Sequence, residues 1–106
     1  MTIYRASTND QTFTFPFDVS TMTAIQLTYT QCGEIVMEKT KNDLAFSEDG
    51  CTMSFQMTQE EANAFQCGAA MLQVRILSED GECMPTDPEY IKVHNVNHDN
   101  ILEANG

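Results

Sequence analysis

Apolar and polar residues alternate with a period of two along most of this chain. Ala24-Ile-Gln-Leu-Thr-Tyr-Thr30 places Ile25, Leu27 and Tyr29 on one side, because strand residues at i, i+2 and i+4 share a face. Gln31-Cys-Gly33 is a short connection, and Glu34-Ile-Val-Met-Glu-Lys39 answers it as the second arm of a hairpin. Upstream, Thr12-Phe-Thr-Phe-Pro-Phe17 puts Phe13, Phe15 and Phe17 on one face, with Pro16 restricting the run to an edge or a strand end. Leu44-Ala-Phe46 and Cys51-Thr-Met-Ser-Phe-Gln-Met57 flank the turn signal Glu48-Asp-Gly50, and Met53, Phe55 and Met57 share a side.

The period changes once. Thr58-Gln-Glu-Glu-Ala-Asn-Ala-Phe-Gln-Cys-Gly68 reads as a short helix. Thr58 serves as N-cap, with Glu61 closing a capping box, Ala62 and Phe65 turned inward, and Gly68 ending the turn in a left-handed conformation. Alternation then resumes, with Ala70, Leu72, Val74 and Ile76 on one face and Gln73 and Arg75 on the other. Glu79-Asp-Gly81 turns the chain, and Pro85 and Pro88 bracket the approach to a last strand over Tyr90-Ile-Lys-Val-His-Asn-Val96. About seven short strands with turn signals every 8–12 residues predict an all-β, immunoglobulin-like antiparallel β-sandwich with one short helix before the penultimate strand. The expected organisation is a flexible lead-in over residues 1–9 with Ile3 docking on an edge, a sandwich over 10–96, and a polar tail over 97–106. That tail reads either as a stub or as the start of a helix that docks elsewhere.

Composition narrows the function classes. At 106 residues the chain is one domain, able to bury roughly two-thirds of its extended surface. Sixteen acidic residues against five basic ones give a formal net charge of −11, which repels phosphate backbones and argues against nucleic acid or an anionic membrane as partner. No apolar run approaches the ~20 residues that span a bilayer, and Met1-Thr-Ile-Tyr-Arg5 lacks the basic-then-apolar layout of a secretory signal. Cys32, Cys67, Cys51 and Cys83 show no Cys-x-x-Cys spacing, so free thiols in a reducing compartment are expected.

Candidate chemistry is sparse. His94 falls on the face opposite Ile91 and Val93 and reads as an exposed strand histidine, while His98 lies in the tail. Glu60 and Glu61 are adjacent carboxylates that point in different directions on a helix, which suits capping and the helix dipole rather than a shared substrate bond. Gly33, Gly50, Gly68 and Gly81 stand singly at turns, without a phosphate-cradling loop. No catalytic set, metal site or cofactor is expected. Among seven methionines, Met53 and Met57 read as core, whereas Met71 shares the Gln73 and Arg75 face with Leu77. Met71 and Leu77 therefore either sit under a loop or a chain end, or form an apolar patch that docks a partner. Tyr90 is the best-placed surface aromatic, ahead of Tyr4 and Tyr29, for a second reading as a small carbohydrate-binding module.

Three stretches carry a family likeness: Leu27-Thr-Tyr-Thr-Gln-Cys-Gly-Glu-Ile-Val36, Met57-Thr-Gln-Glu-Glu-Ala-Asn-Ala-Phe-Gln-Cys-Gly68 and Leu72-Gln-Val-Arg-Ile-Leu-Ser-Glu-Asp-Gly81. With the final strand they resemble small prophage proteins of Gram-positive gut bacteria and, more loosely, the N-terminal immunoglobulin-like domain of phage baseplate upper proteins. The likeness covers residues 10–96 and rests on turn and capping signals. It implies a non-catalytic virion structural module associated with a tail or baseplate. Its partners would be other tail or baseplate proteins and copies of itself. It would reside in the bacterial cytoplasm when expressed from a prophage and in the virion after assembly. The chain departs from that pattern by stopping soon after the sandwich.

Overall fold

Two sheets, antiparallel except where β1 runs parallel to β9, face each other across one apolar core. The computed structural model describes residues 1–104, and the last two positions of the expected polar tail lie outside them. In chain order the elements are β1 (Thr2–Tyr4), β2 (Asn9–Thr14), β3 (Ala24–Gln31), β4 (Glu34–Thr40), β5 (Ala45–Phe46), β6 (Thr52–Met57), α1 (Gln59–Asn63), β7 (Gly68–Leu77), β8 (Cys83–Pro85) and β9 (Glu89–His94). The larger sheet runs β1-β9-β7-β3-β4, with β8 also on β7, and the smaller runs β2-β6-β5.

The larger sheet grows from β3 and β7, the two longest alternating runs, paired antiparallel from Ala24 opposite Leu77 to Thr30 opposite Met71. Cys32 and Gly33 both take positive φ, 54° and 78°, which is the two-residue type I′ connection whose twist suits a β3–β4 hairpin. A bulge between Tyr29 and Thr30 then shifts the β4 register. The inward faces contribute Leu27, Tyr29, Leu72 and Ile91 from one sheet and Met53 and Met57 from the other, all essentially inaccessible. Tyr29 meets Phe65 and Phe55 edge-on, at centroid separations of 5.8 and 6.3 Å, a geometry that adds to burial.

One buried polar link crosses the core. The Tyr29 hydroxyl on β3 donates to Gln11 Oε1 on β2 at 3.0 Å, joining the two sheets. Burial pushes the Tyr29 phenol far above its usual range, and the Glu89 and Glu61 charges push it the same way.

Four local readings change. The lead-in contains a strand: β1 lies parallel to β9, with Ile3 opposite Val93 and fully buried. Asn9 secures the bend that follows, bonding the Tyr4 N–H and the Tyr4 and Ser7 carbonyls at 3.0 Å each. The strand expected over Thr12–Phe17 begins at Asn9 and ends at Thr14, and Phe17 is exposed. The helix does not reach Gly68. It closes at Asn63 with Ala64 as C-cap in the right-handed region, and Gly68 is instead the first residue of β7 at φ 128°. At the start of α1, Thr58 Oγ1 accepts from the Glu61 N–H at 3.1 Å and Glu61 Oε1 accepts from the Thr58 N–H at 3.0 Å.

The tail is no helix over its described part. Gln59 exchanges two bonds with the Leu102 backbone, at 2.8 and 3.1 Å, and Asn63 donates to the Asp99 carbonyl at 2.9 Å. Arg5 gathers both ends of the chain, donating to the Phe65 carbonyl at 2.7 Å and to Asn95 and Asp99 at 2.8 Å each.

Candidate interaction face

The outer surface of the larger sheet follows from alternation and register. Tyr90, Lys92 and His94 project from β9, Ala69, Met71, Gln73, Arg75 and Leu77 from β7, and Gln26, Thr28 and Thr30 from β3. The flanks add Thr2 and Tyr4 from β1 and Ile35 and Glu38 from β4.

Met71 and Tyr90 are cross-strand partners, and Met71 also faces Thr30, which in turn faces Ile35. One row therefore crosses four strands: Ile35, Thr30, Met71, Tyr90. Tyr90 is 71% exposed and Ile35 61%, while Met71 is half-buried between its neighbours. Leu77 is not part of this row. It stands six positions along β7 from Met71, roughly 20 Å at strand rise, opposite Ala24 and Cys83 and half-buried there.

Beyond Tyr90 the face becomes a shallow hollow of about 600 Å³ over Gly68 and Ala69, walled by Tyr90, Lys92 and His94 with Cys67 at one end. His94 is half-buried rather than exposed. Its ring stacks on Tyr4, centroids 5.1 Å apart and planes 19° apart. A second hollow of about 460 Å³ lies at the far end of the sheet, between Lys41, Arg75, Leu77 and Cys83. Among the described residues no three His, Cys, Asp or Glu side chains gather closely enough to hold a metal ion. All four cysteines are unpaired, with Cys51 half-buried and the others at the surface. Among the described residues no helix is long and apolar enough to cross a membrane.

Charge is distributed unevenly over the surface. Among the described residues Glu38 is the only carboxylate at an outward position of the five strands β1, β9, β7, β3 and β4, in a chain with 16 acidic residues. Arg75 and Lys92, two of the five basic residues, project from the same face. The carboxylates cluster at turns instead, where they act locally. Ser47 Oγ and the Cys51 N–H donate to Asp49, holding its carboxyl below the usual value. Ser78 and the Glu82 N–H do the same for Asp80. Glu61 sits on the core side of β4: burial alone would raise its carboxyl, but Lys39 Nζ at 2.5 Å and the Thr58 cap outweigh burial and lower it.

Two parts of this face were not foreseen. Ile35 had a signal, since three consecutive apolar residues at Ile35-Val-Met37 cannot all face inward on a strand. The Tyr4 and His94 stack had none, because it depends on β1 adding in parallel beside β9.

No protein-family model matches the chain, and no curated protein matches it either. Solved structures do. CopC from Methylosinus trichosporium OB3b aligns over 92% of this chain and 87% of its own, with a TM-score of 0.60 and 13% identity. A chicken TCR aligns over 91% of this chain and 53% of its own, with a TM-score of 0.60 and 10% identity. A mouse leukocyte-associated immunoglobulin-like receptor 1 domain, solved as a strand-swapped dimer, aligns over 89% and 86%, with a TM-score of 0.51 and 11% identity. At such identities the likeness concerns the fold alone: this chain is an immunoglobulin-like β-sandwich.

Proposed function

We propose that the chain is a non-catalytic interaction module that works through the outer face of its larger sheet. The observation that carries this reading is the row Ile35, Thr30, Met71, Tyr90, an apolar and aromatic line on a face with a single carboxylate. Aromatic and Met side chains are enriched at protein interfaces while acidic ones are depleted there. At the turns Ser47 and Ser78 donate to Asp49 and Asp80, but these carboxyls are held below their usual value and make weak bases, which favours contact over turnover. The sequence resemblance to prophage proteins and baseplate upper proteins supports a tail- or baseplate-associated place for these contacts, with neighbouring tail proteins as partners.

The test is co-expression of the tagged chain with the tail and baseplate proteins encoded beside it. Wild type should retain one of them through purification. Tyr90→Ser, at an exposed position that leaves the core untouched, should release it with an unchanged circular-dichroism spectrum. Retention of nothing by wild type, or equal retention by the variant, contradicts the proposal.

A second reading, a carbohydrate-binding module, draws support from the hollow beside Tyr90, where the Tyr4 and His94 stack and Lys92 offer a flat aromatic wall and a donor. A glycan array without binding removes it.

A further inference from the structure

We infer that the outer face of the larger sheet is the contact surface of a symmetric dimer of this chain; the inference rests on the interaction-module reading and names the partner. Charge selects the face. Two copies of a molecule carrying −11 repel each other, and an approach through the loops sets Asp18, Asp43, Asp49 or Asp80 against their like. Among the described residues the outer face of β9, β7, β3 and β4 presents a second copy with one carboxylate and two basic residues, whereas the outer face of β2, β6 and β5 offers Asp10 and no basic residue to offset it.

Size is the second argument. The five strands, of 3, 6, 10, 8 and 7 residues, at about 3.3 Å per residue and about 4.8 Å apart cover roughly 540 Å². That is about two-thirds of one partner's share of a standard interface, the size of a weak, concentration-dependent contact. The third argument is self-complementarity. Glu38 stands on the β4 flank and Lys92 on the β9 flank, at opposite sides of the apolar row. A two-fold axis lying in the interface at about 45° to the strands, perpendicular to the line from Glu38 to Lys92, exchanges the two positions, so each copy sets its Glu38 against the other's Lys92, as an isologous contact requires.

Sedimentation equilibrium of the full chain under reducing conditions tests this, since reduction removes any crosslink through Cys32, Cys67 or Cys83. The expected result is a monomer–dimer equilibrium that tightens several-fold between about 50 and about 500 mM salt, as screening relieves the repulsion between copies. Tyr90→Ser and Met71→Lys should each weaken it tenfold or more with the melting curve little changed. Glu38→Lys should weaken it, and Glu38→Lys combined with Lys92→Glu should restore it, which a merely structural role for either residue would not do.

A strict monomer into the millimolar range overturns the inference, as does a dimer indifferent to Tyr90 and Met71. A monomer that still retains a tail protein through Tyr90 overturns the dimer alone and leaves the interaction module standing. Loss of both overturns the two together.

Discussion

Replacing Tyr29 by Phe isolates a polar bond that runs through the core from sheet to sheet. Tyr29 is fully buried and Gln11 is 2% exposed, and the bond between them is 3.0 Å long. Tyr29→Phe keeps the ring and its edge-on contacts with Phe55 and Phe65 but strips Gln11 Oε1 of its donor. A buried acceptor left unsatisfied costs about 1–3 kcal/mol, and the lost bond itself contributes about 1 kcal/mol within that range. An expected loss of about 2 kcal/mol is a large part of the ~5–15 kcal/mol that holds a domain of this size together. With an unfolding entropy of about 2.1 cal/mol/K per residue, it lowers the melting temperature by roughly 9 °C. Gln11→Met should cost a similar amount, because it leaves the Tyr29 hydroxyl alone in the core. The double variant should cost at least about 1 kcal/mol less than the sum, since removing both partners removes the unmet demand. Calorimetry or urea titration of the four proteins closes the cycle. Strict additivity, or a Tyr29→Phe cost below about 0.5 kcal/mol, refutes a buried inter-sheet bond.

Gly50→Ala should lower stability by more than about 2 kcal/mol, because φ is +74° and a Cβ would fall 1.9 Å from Asp18 Oδ1. Gly33→Ala, at φ +78° with nothing within 4 Å, should cost only about 1 kcal/mol, so equal urea midpoints would contradict the contrast. Arg5→Ala should cost about 2–3 kcal/mol through its bonds to Phe65, Asn95 and Asp99, against no more than about 0.5 kcal/mol for Lys92→Ala at the surface. Glu61 has a lowered folded value, so its contribution is full above the unfolded value of 4.5 and is lost as pH falls through the folded one. Glu61→Gln should therefore flatten the acid limb of the melting-temperature profile, and an unchanged limb would exclude that role.

Where alternation is strict, the strands were legible. Ile25, Leu27 and Tyr29 on β3 and Ala70, Leu72, Val74 and Ile76 on β7 face the core, because burial of one sheet face imposes the period of two. β1 and β8 were not legible: three residues are too few for a period, and both are fixed by docking beside β9 and β7. Gln11 and Asn9 are polar, yet they occupy inward positions because Tyr29 and the Tyr4 backbone satisfy them. Gly68 resembled a helix terminator because a short capped helix precedes it, but the chain spends four more residues reaching β7. On the candidate face, Met71 and Tyr90 could each be placed outward by counting. Their direct pairing could not, since β8 interrupts the path from β7 to β9 and hides the register.

The methionines provide the most direct probe of the central proposition, that this sandwich works through the outer face of its larger sheet. Met53 and Met57 are sealed in the core, whereas Met71 lies on that face. Methyl NMR of the methionine-labelled chain, recorded from micromolar to millimolar concentration and then with a retained tail protein, should move the Met71 resonance and leave Met53 and Met57 in place. A Met71 signal that stays fixed while the chain is demonstrably bound would contradict the account.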